Sequence, residues 1–263
     1  MAFAELKAKQ SVMWGNGPYE RITKTLRDIH ALVIERADPQ PGDRLLDAAT
    51  GTGAVAILAA KRGADVVGLD LAPALIETAK ERASEQGLEI DYVVGDCEAM
   101  PFPDGSFDKV SSTVGIMFSP DHEASARELA RVTRSGGRLA LANWTPEGGL
   151  GRMFAMMAPF QPAKPPSSPF DWGRPERVRE LLGDAFDLEI EEHVSTLTLS
   201  NGEEYWQLFS TSYGPTKVLA DNLDDDRREE FHRTWVDFFD REYTSNGEVN
   251  HTREYLLVLG TRR

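Results

Sequence analysis

The chain has 263 residues, 41% apolar and 27% charged, with a formal net charge of −14. That balance suits one large globular domain, or a core with a lid, and argues against nucleic acid as a partner. Cys97 is the single cysteine, zinc-type Cys/His spacings are missing, and no apolar run approaches the ~20 residues of a membrane span. No disulfide, metal, signal peptide or membrane association is therefore expected, and the protein is expected to be soluble and cytoplasmic.

Taken in chain order, the first forty residues read as helical, interrupted at Gly15-Asn16-Gly17-Pro18 and closed by Pro39 and Pro41-Gly42. A short buried strand follows at 44–47. A helix over 54–62 is capped by Gly63. Strand 65–70, helix 73–86 with Pro73 in its first turn, and strand 90–94 come next. Strand 107–114, helix 123–132, a turn at Gly136-Gly137 and strand 138–143 complete the alternation. Strands and helices alternating at this spacing predict an α/β fold, a doubly wound sheet of parallel strands with helices on both faces. The pattern changes at 145–173, where six prolines and three methionines suggest an excursion from the core. A helix at 175–182, a strand at 188–199, aromatic-rich helices at 203–213 and 224–243, and a strand at 254–260 end the pass.

The chemistry concentrates at Asp47-Ala48-Ala49-Thr50-Gly51-Thr52-Gly53. A strand ends there and a glycine-rich turn opens a helix, the place where a doubly wound sheet binds ligands. Gly51-Thr52-Gly53-Ala54-Val55-Ala56 also satisfies the dinucleotide pattern G-x-G-x-x-G/A, so an NAD-dependent oxidoreductase is the alternative enzyme. A buried carboxylate at Asp47 would repel a pyrophosphate and favour a cationic ligand. Asp70, about twenty residues on, can accept both hydroxyls of a ribose, which fits either cofactor. Asp96, after the third strand, can accept from an adenine amino group.

Leu46-Asp47-x-x-x-Gly51-Thr52-Gly53, Gly68-Leu69-Asp70, Gly95-Asp96-x-Glu98-x-Met100-Pro101-Phe102, Phe107-Asp108 and Glu128-Leu129-x-Arg131-Val132-x-x-x-Gly136-Gly137 together resemble the class I S-adenosylmethionine-dependent methyltransferases. The resemblance runs over residues 40–144 and includes the branch of the ubiquinone and menaquinone biosynthesis C-methyltransferases. It implies a Rossmann-like, seven-stranded, mostly parallel sheet with helical lid insertions. Residues 1–40 would be an N-terminal helical lid segment and 41–144 the cofactor-binding core. Residues 145–263 would complete the sheet in the same domain, with substrate lids at 145–173 and 203–247. The resemblance places Asp47 near the methionine ammonium, with Ala49, Gly51 and Gly53 at main-chain distance from the cofactor. Asp70 takes the ribose and Leu71 packs on the adenine. Asp96 and the Cys97 backbone hold the adenine edge, and Thr113-Val114 border the methionine. Trp14 and Tyr19 are the candidates for an aromatic cover. The family pattern has glycine where this chain has Ala49, which is tolerable if its φ is negative.

Structural alternatives stand beside these readings. Asp47 could cap a helix. Cys97 reads as an inert small side chain, and the aromatics of 231–239 as core or lid packing. His122 borders the region expected to hold the methyl group and is the one candidate base, although Asp121 could simply cap a helix that His122 begins. The expected reaction is in-line methyl transfer to a small-molecule acceptor, which need not require a base. A methyltransferase-like module without turnover fits the same residues, and self-association into a homo-oligomer is left open.

Overall fold

The computed structural model describes residues 3–162 and 165–263. Eight strands form one sheet: β1 (Arg44–Ala48), β2 (Asp65–Asp70), β3 (Asp91–Val94), β4 (Phe107–Thr113), β5 (Thr133–Trp144), β6 (Phe186–Leu199), β7 (Thr244–Ser245) and β8 (Glu248–Arg262). Seven of them lie in the order β3-β2-β1-β4-β5-β8-β6, with the two-residue β7 paired to β8. The pairs among β1 to β5 are parallel, and β8 runs antiparallel between β5 and β6. This is the doubly wound, mostly parallel sheet expected.

Eleven helices are described: α1 (Ala4–Trp14), α2 (Glu20–Thr23), α3 (Arg27–Ala37), α4 (Ala54–Ala60), α5 (Pro73–Ser84), α6 (His122–Val132), α7 (Gly149–Met157), α8 (Pro175–Leu182), α9 (Gly202–Ser212), α10 (Gly214–Asn222) and α11 (Asp225–Glu242). The first forty residues divide in function: α3 buries Ile29, Val33 and Ile34 as part of the helical layer beside β4 and β5, whereas α1 buries only Lys7. Apart from its first residue, β1 is buried throughout, as a strand covered on both faces must be. The Gly136-Gly137 turn lies inside β5 rather than before it. Phe107 pairs with Thr133 but Lys109 with Arg138, so the extra residues bulge out and the strand continues.

Of the segment expected to leave the core, 145–173, residues 163 and 164 lie outside the described residues, and the rest packs in part against the core. It contains α7, whose Met153 and Met157 are buried, and a short turn that buries Trp172. Helices α9 and α11 share an aromatic core in which Tyr205 stacks on Phe239 and Phe231 and Trp235 are fully buried. The aromatic stripe is therefore packing. No helix among the described residues is long and apolar enough to cross a membrane.

Candidate functional site

The carboxyl ends of β1, β2 and β3 lie side by side, and β1 is flanked by β2 on one side and β4 on the other. Crossovers leave in opposite directions at this point, which opens a crevice above the strand ends. The N-terminal segment covers it. The resulting cavity holds about 910 Å³ of atom-free space, its open mouth included. Its wall brings together Trp14, Tyr19, Asp47, Ala49, Gly51, Asp70, Leu71, Asp96, Cys97, Thr113 and Val114. Gly53 is not on the wall. Its left-handed backbone, φ 77°, turns the chain into α4 over the Tyr92 ring, where a side chain would meet the phenol oxygen at 2.3 Å.

Asp47 is 2% exposed. Thr50 Oγ1 donates to its Oδ2 at 2.6 Å and Ser111 Oγ to its Oδ1 at 3.0 Å. Burial outweighs these bonds and pushes the carboxyl from its usual 3.8 up to about 6, with the nearby charge of Asp70 adding to the rise. Asp47 does not cap α4, whose N-cap is Gly53. Asp70 accepts from the main-chain N–H of Gly51 at 2.8 Å and of Ala72 at 2.9 Å, and burial raises it too. These bonds fix the carboxylate and leave lone pairs free.

Two turns are strained where they meet. Ala49 has φ 55°, the left-handed region, rather than the negative value that would make alanine harmless. Val114, at the end of β4, has φ 46°, rare for a β-branched residue. Its N–H donates to Ala142 at 2.8 Å, which ties the turn to the neighbouring strand. A side chain on Gly115 would come within 2.6 Å of Ala49 Cβ. Gly115 therefore makes room for the methyl group that Ala49 adds. Strain of this kind clusters at ligand sites, held by surrounding bonds.

On the far side, Asp96 meets a partner that spacing could not reveal. Lys7 Nζ donates to Asp96 Oδ2 at 2.7 Å and also pairs with Glu98. Burial works against the ammonium, but the bonds to both carboxylates prevail and raise its pKa. Glu98 also accepts the N–H of Asp121 at 2.8 Å, so it is not a solvated surface acid. Trp14 packs edge-on against Phe118 at 4.8 Å, Tyr213 at 5.7 Å and Tyr19 at 6.0 Å. Cys97 is buried, and burial, reinforced by the Asp70 and Asp96 charges, pushes its thiol far up, so it is inert.

His122 does not reach the cavity. It begins α6, capped by Asp121, is 2% exposed and sits edge-on to Trp172. Burial lowers its pKa, and its Nε2 has no partner among the described residues. The imidazole on the wall is instead His30, from α3, lowered to about 4 by burial and by Arg82. Besides Lys7 and His30, sequence reasoning missed Phe118. None of the three carries a local pattern, because folding alone brings them to the turn.

The wall combines three carboxyl groups with bare main chain and aromatic rings. Gly51, lacking a Cβ, leaves its main chain bare toward the cavity, with Tyr19 Cε1 3.9 Å from where a side chain would begin. Thr113 Oγ1 is buried there without a partner among the described residues. Asp47 offers charge to a cation. The fold is that of a class I S-adenosylmethionine-dependent methyltransferase.

The comparisons with known proteins agree. The model of a methyltransferase domain matches residues 46–141. The chain belongs to the same family as the uncharacterized protein Rv1405c of Mycobacterium tuberculosis, with 34% identity over 273 aligned positions, 98% of this chain and 96% of that one. It is 41% identical to a demethylmenaquinone methyltransferase of Thermus thermophilus over 127 residues, 47% of this chain and 56% of the relative. Among solved structures, the YcgJ protein of Bacillus subtilis superimposes with a TM-score of 0.64 at 22% identity, over 89% of this chain and 97% of that one, a likeness of fold.

Proposed function

We propose that the protein transfers the methyl group of S-adenosylmethionine to a small-molecule acceptor by in-line displacement. The observation that carries the proposal is the convergence of Asp47, Asp70 and Asp96, from three adjacent strand ends, on one cavity. Bound there, S-adenosylmethionine supplies a methyl group already activated on a sulfonium. Asp70 would accept the ribose hydroxyls, Asp96 the adenine amino group, and Asp47 would face the ammonium. Thr113 and Val114 border the methionine end, while Trp14, Tyr19 and Phe118 exclude water above it. Orientation and exclusion are the protein's main contributions.

Acid–base help is sparse. His30 is neutral at working pH, and His122 is buried beside Trp172, off the cavity wall. The aromatic cover suits an apolar or planar acceptor, in line with the quinone branch that the cofactor half resembles.

Calorimetry with S-adenosylhomocysteine and with NADH tests the cofactor. Binding of the first alone is expected, and binding of NADH alone would overturn the proposal. Turnover on a panel of quinols, phenols and amines separates an enzyme from a binding module.

A further inference from the structure

Helix α1 has little to hold it down. It has no apolar stripe, and Lys7 is its one buried residue. It packs beside α10 and α5, and its specific anchors are the Lys7 pairs with Asp96 and Glu98, a bond at 3.0 Å from Gln10 Nε2 to the Phe118 carbonyl, and the Trp14 ring. A helix attached through a buried charge rather than a hydrophobic face is attached in a partner-dependent way.

The partner is the adenine-side acid. Asp96 Oδ1 accepts the N–H of Glu98 at 2.9 Å while Oδ2 accepts from Lys7, so the carboxylate is held from both sides. The side chain of Glu98 is 4% exposed and that of Asp96 21%. Without Lys7, two neighbouring carboxylates would face each other with no cation between them.

We propose that Lys7 is a positioning and specificity residue: it fixes Asp96 as an acceptor for the amino group of a purine and at the same time fastens α1 over the bound nucleoside. The proposal rests on the S-adenosylmethionine reading above. A fixed carboxylate oxygen attracts an amino group and repels a carbonyl at the same place. Lys7 thus strengthens the choice of adenine over hypoxanthine without itself touching the reacting atoms.

The test is calorimetry on the full chain with S-adenosylhomocysteine and with S-inosylhomocysteine, comparing the native protein, Lys7→Met and Lys7→Arg. Losing the group that fixes a charged hydrogen bond should weaken S-adenosylhomocysteine by about tenfold or more in Lys7→Met. The inosine analogue should change much less, so the preference shrinks, and Lys7→Arg should restore part of it. Equal losses for both ligands would mean that Lys7 only clamps the helix, and unchanged affinity would mean that it does neither; each result overturns the proposal. If Lys7→Met does not fold, Lys7→Gln carries the same comparison. If the native chain binds neither ligand, the cofactor reading itself fails, a distinct result that also removes the proposal.

Discussion

Asp47→Asn should make the protein more stable and less able to bind its cofactor. The carboxyl rises from 3.8 to about 6 on folding, through burial. A raised pKa means that the folded state holds its proton longer than the unfolded state. The ionised form is therefore penalised wherever both states are ionised, at and above neutral pH. The difference corresponds to about 3 kcal/mol. Asparagine keeps the shape: its amide oxygen can accept from Thr50, and its amide nitrogen can donate to Ser111 Oγ. The variant should then melt higher by on the order of 5 °C or more at pH 7.5 without ligand. The gain should be about half as large at pH 5 and nearly gone at pH 4, since the native carboxyl is protonated there in the folded state. Thermal unfolding of both chains across that range reads the stability, and calorimetry with S-adenosylhomocysteine reads the loss of affinity. An unchanged or lower melting temperature at pH 7.5 would refute the idea that a buried charge is held there at a cost.

Ala49→Gly should stabilise the chain by about 1 kcal/mol, because it relieves a left-handed alanine; denaturant titration checks this, and destabilisation would show that the methyl packs usefully against Gly115. The Tyr92 hydroxyl is buried with no partner among the described residues, so Tyr92→Phe should be neutral or slightly stabilising in the same titration. Gly68→Ala should cost about 1–3 kcal/mol, since the new methyl would lie 2.6 Å from the Tyr92 ring. His30 is lowered from 6.5 to about 4 and His251 to about 3, mainly by burial. Both remain neutral in the folded state while the unfolded chain takes up protons, so stability should fall as pH drops from about 6.5 toward 4. His30→Phe should flatten part of that acid limb in unfolding experiments; an unchanged limb would place its origin elsewhere.

The strand ends were legible because their signals are local. An acid closes each buried run, and glycines mark the turn after β1. The same locality explains what was not legible. Lys7 reaches Asp96 across 89 positions and looks like any surface lysine in sequence. The positive φ of Ala49 belongs to a turn that leans on Gly115, so residue type alone could not give its sign. The strand expected over 254–260 starts at Glu248 instead. Asn250 to Arg253 are polar, and their strand character comes from pairing with β6, while Glu248 and Val249 pair with β7. His122 was a candidate base because its loop follows β4; the helix-start alternative holds, with Asp121 capping α6 and the imidazole buried beside Trp172, which lies 50 positions on.

The place of β8 in the sheet governs the order in which the molecule can assemble. β5 and β6 are never neighbours, because β8, made after both, slides between them. During synthesis β5 presents an open edge while β6 and the aromatic helices are already outside the ribosome. The pairing that closes this edge runs from Arg138–Thr261 to Trp144–Tyr255, the widest separations in the sheet. Closing such loops is slow, so the finished core of β1 to β4 must wait for its far half. Until β8 arrives, the β5 edge keeps a row of unpaired main-chain donors and acceptors, the kind of edge on which strands mispair.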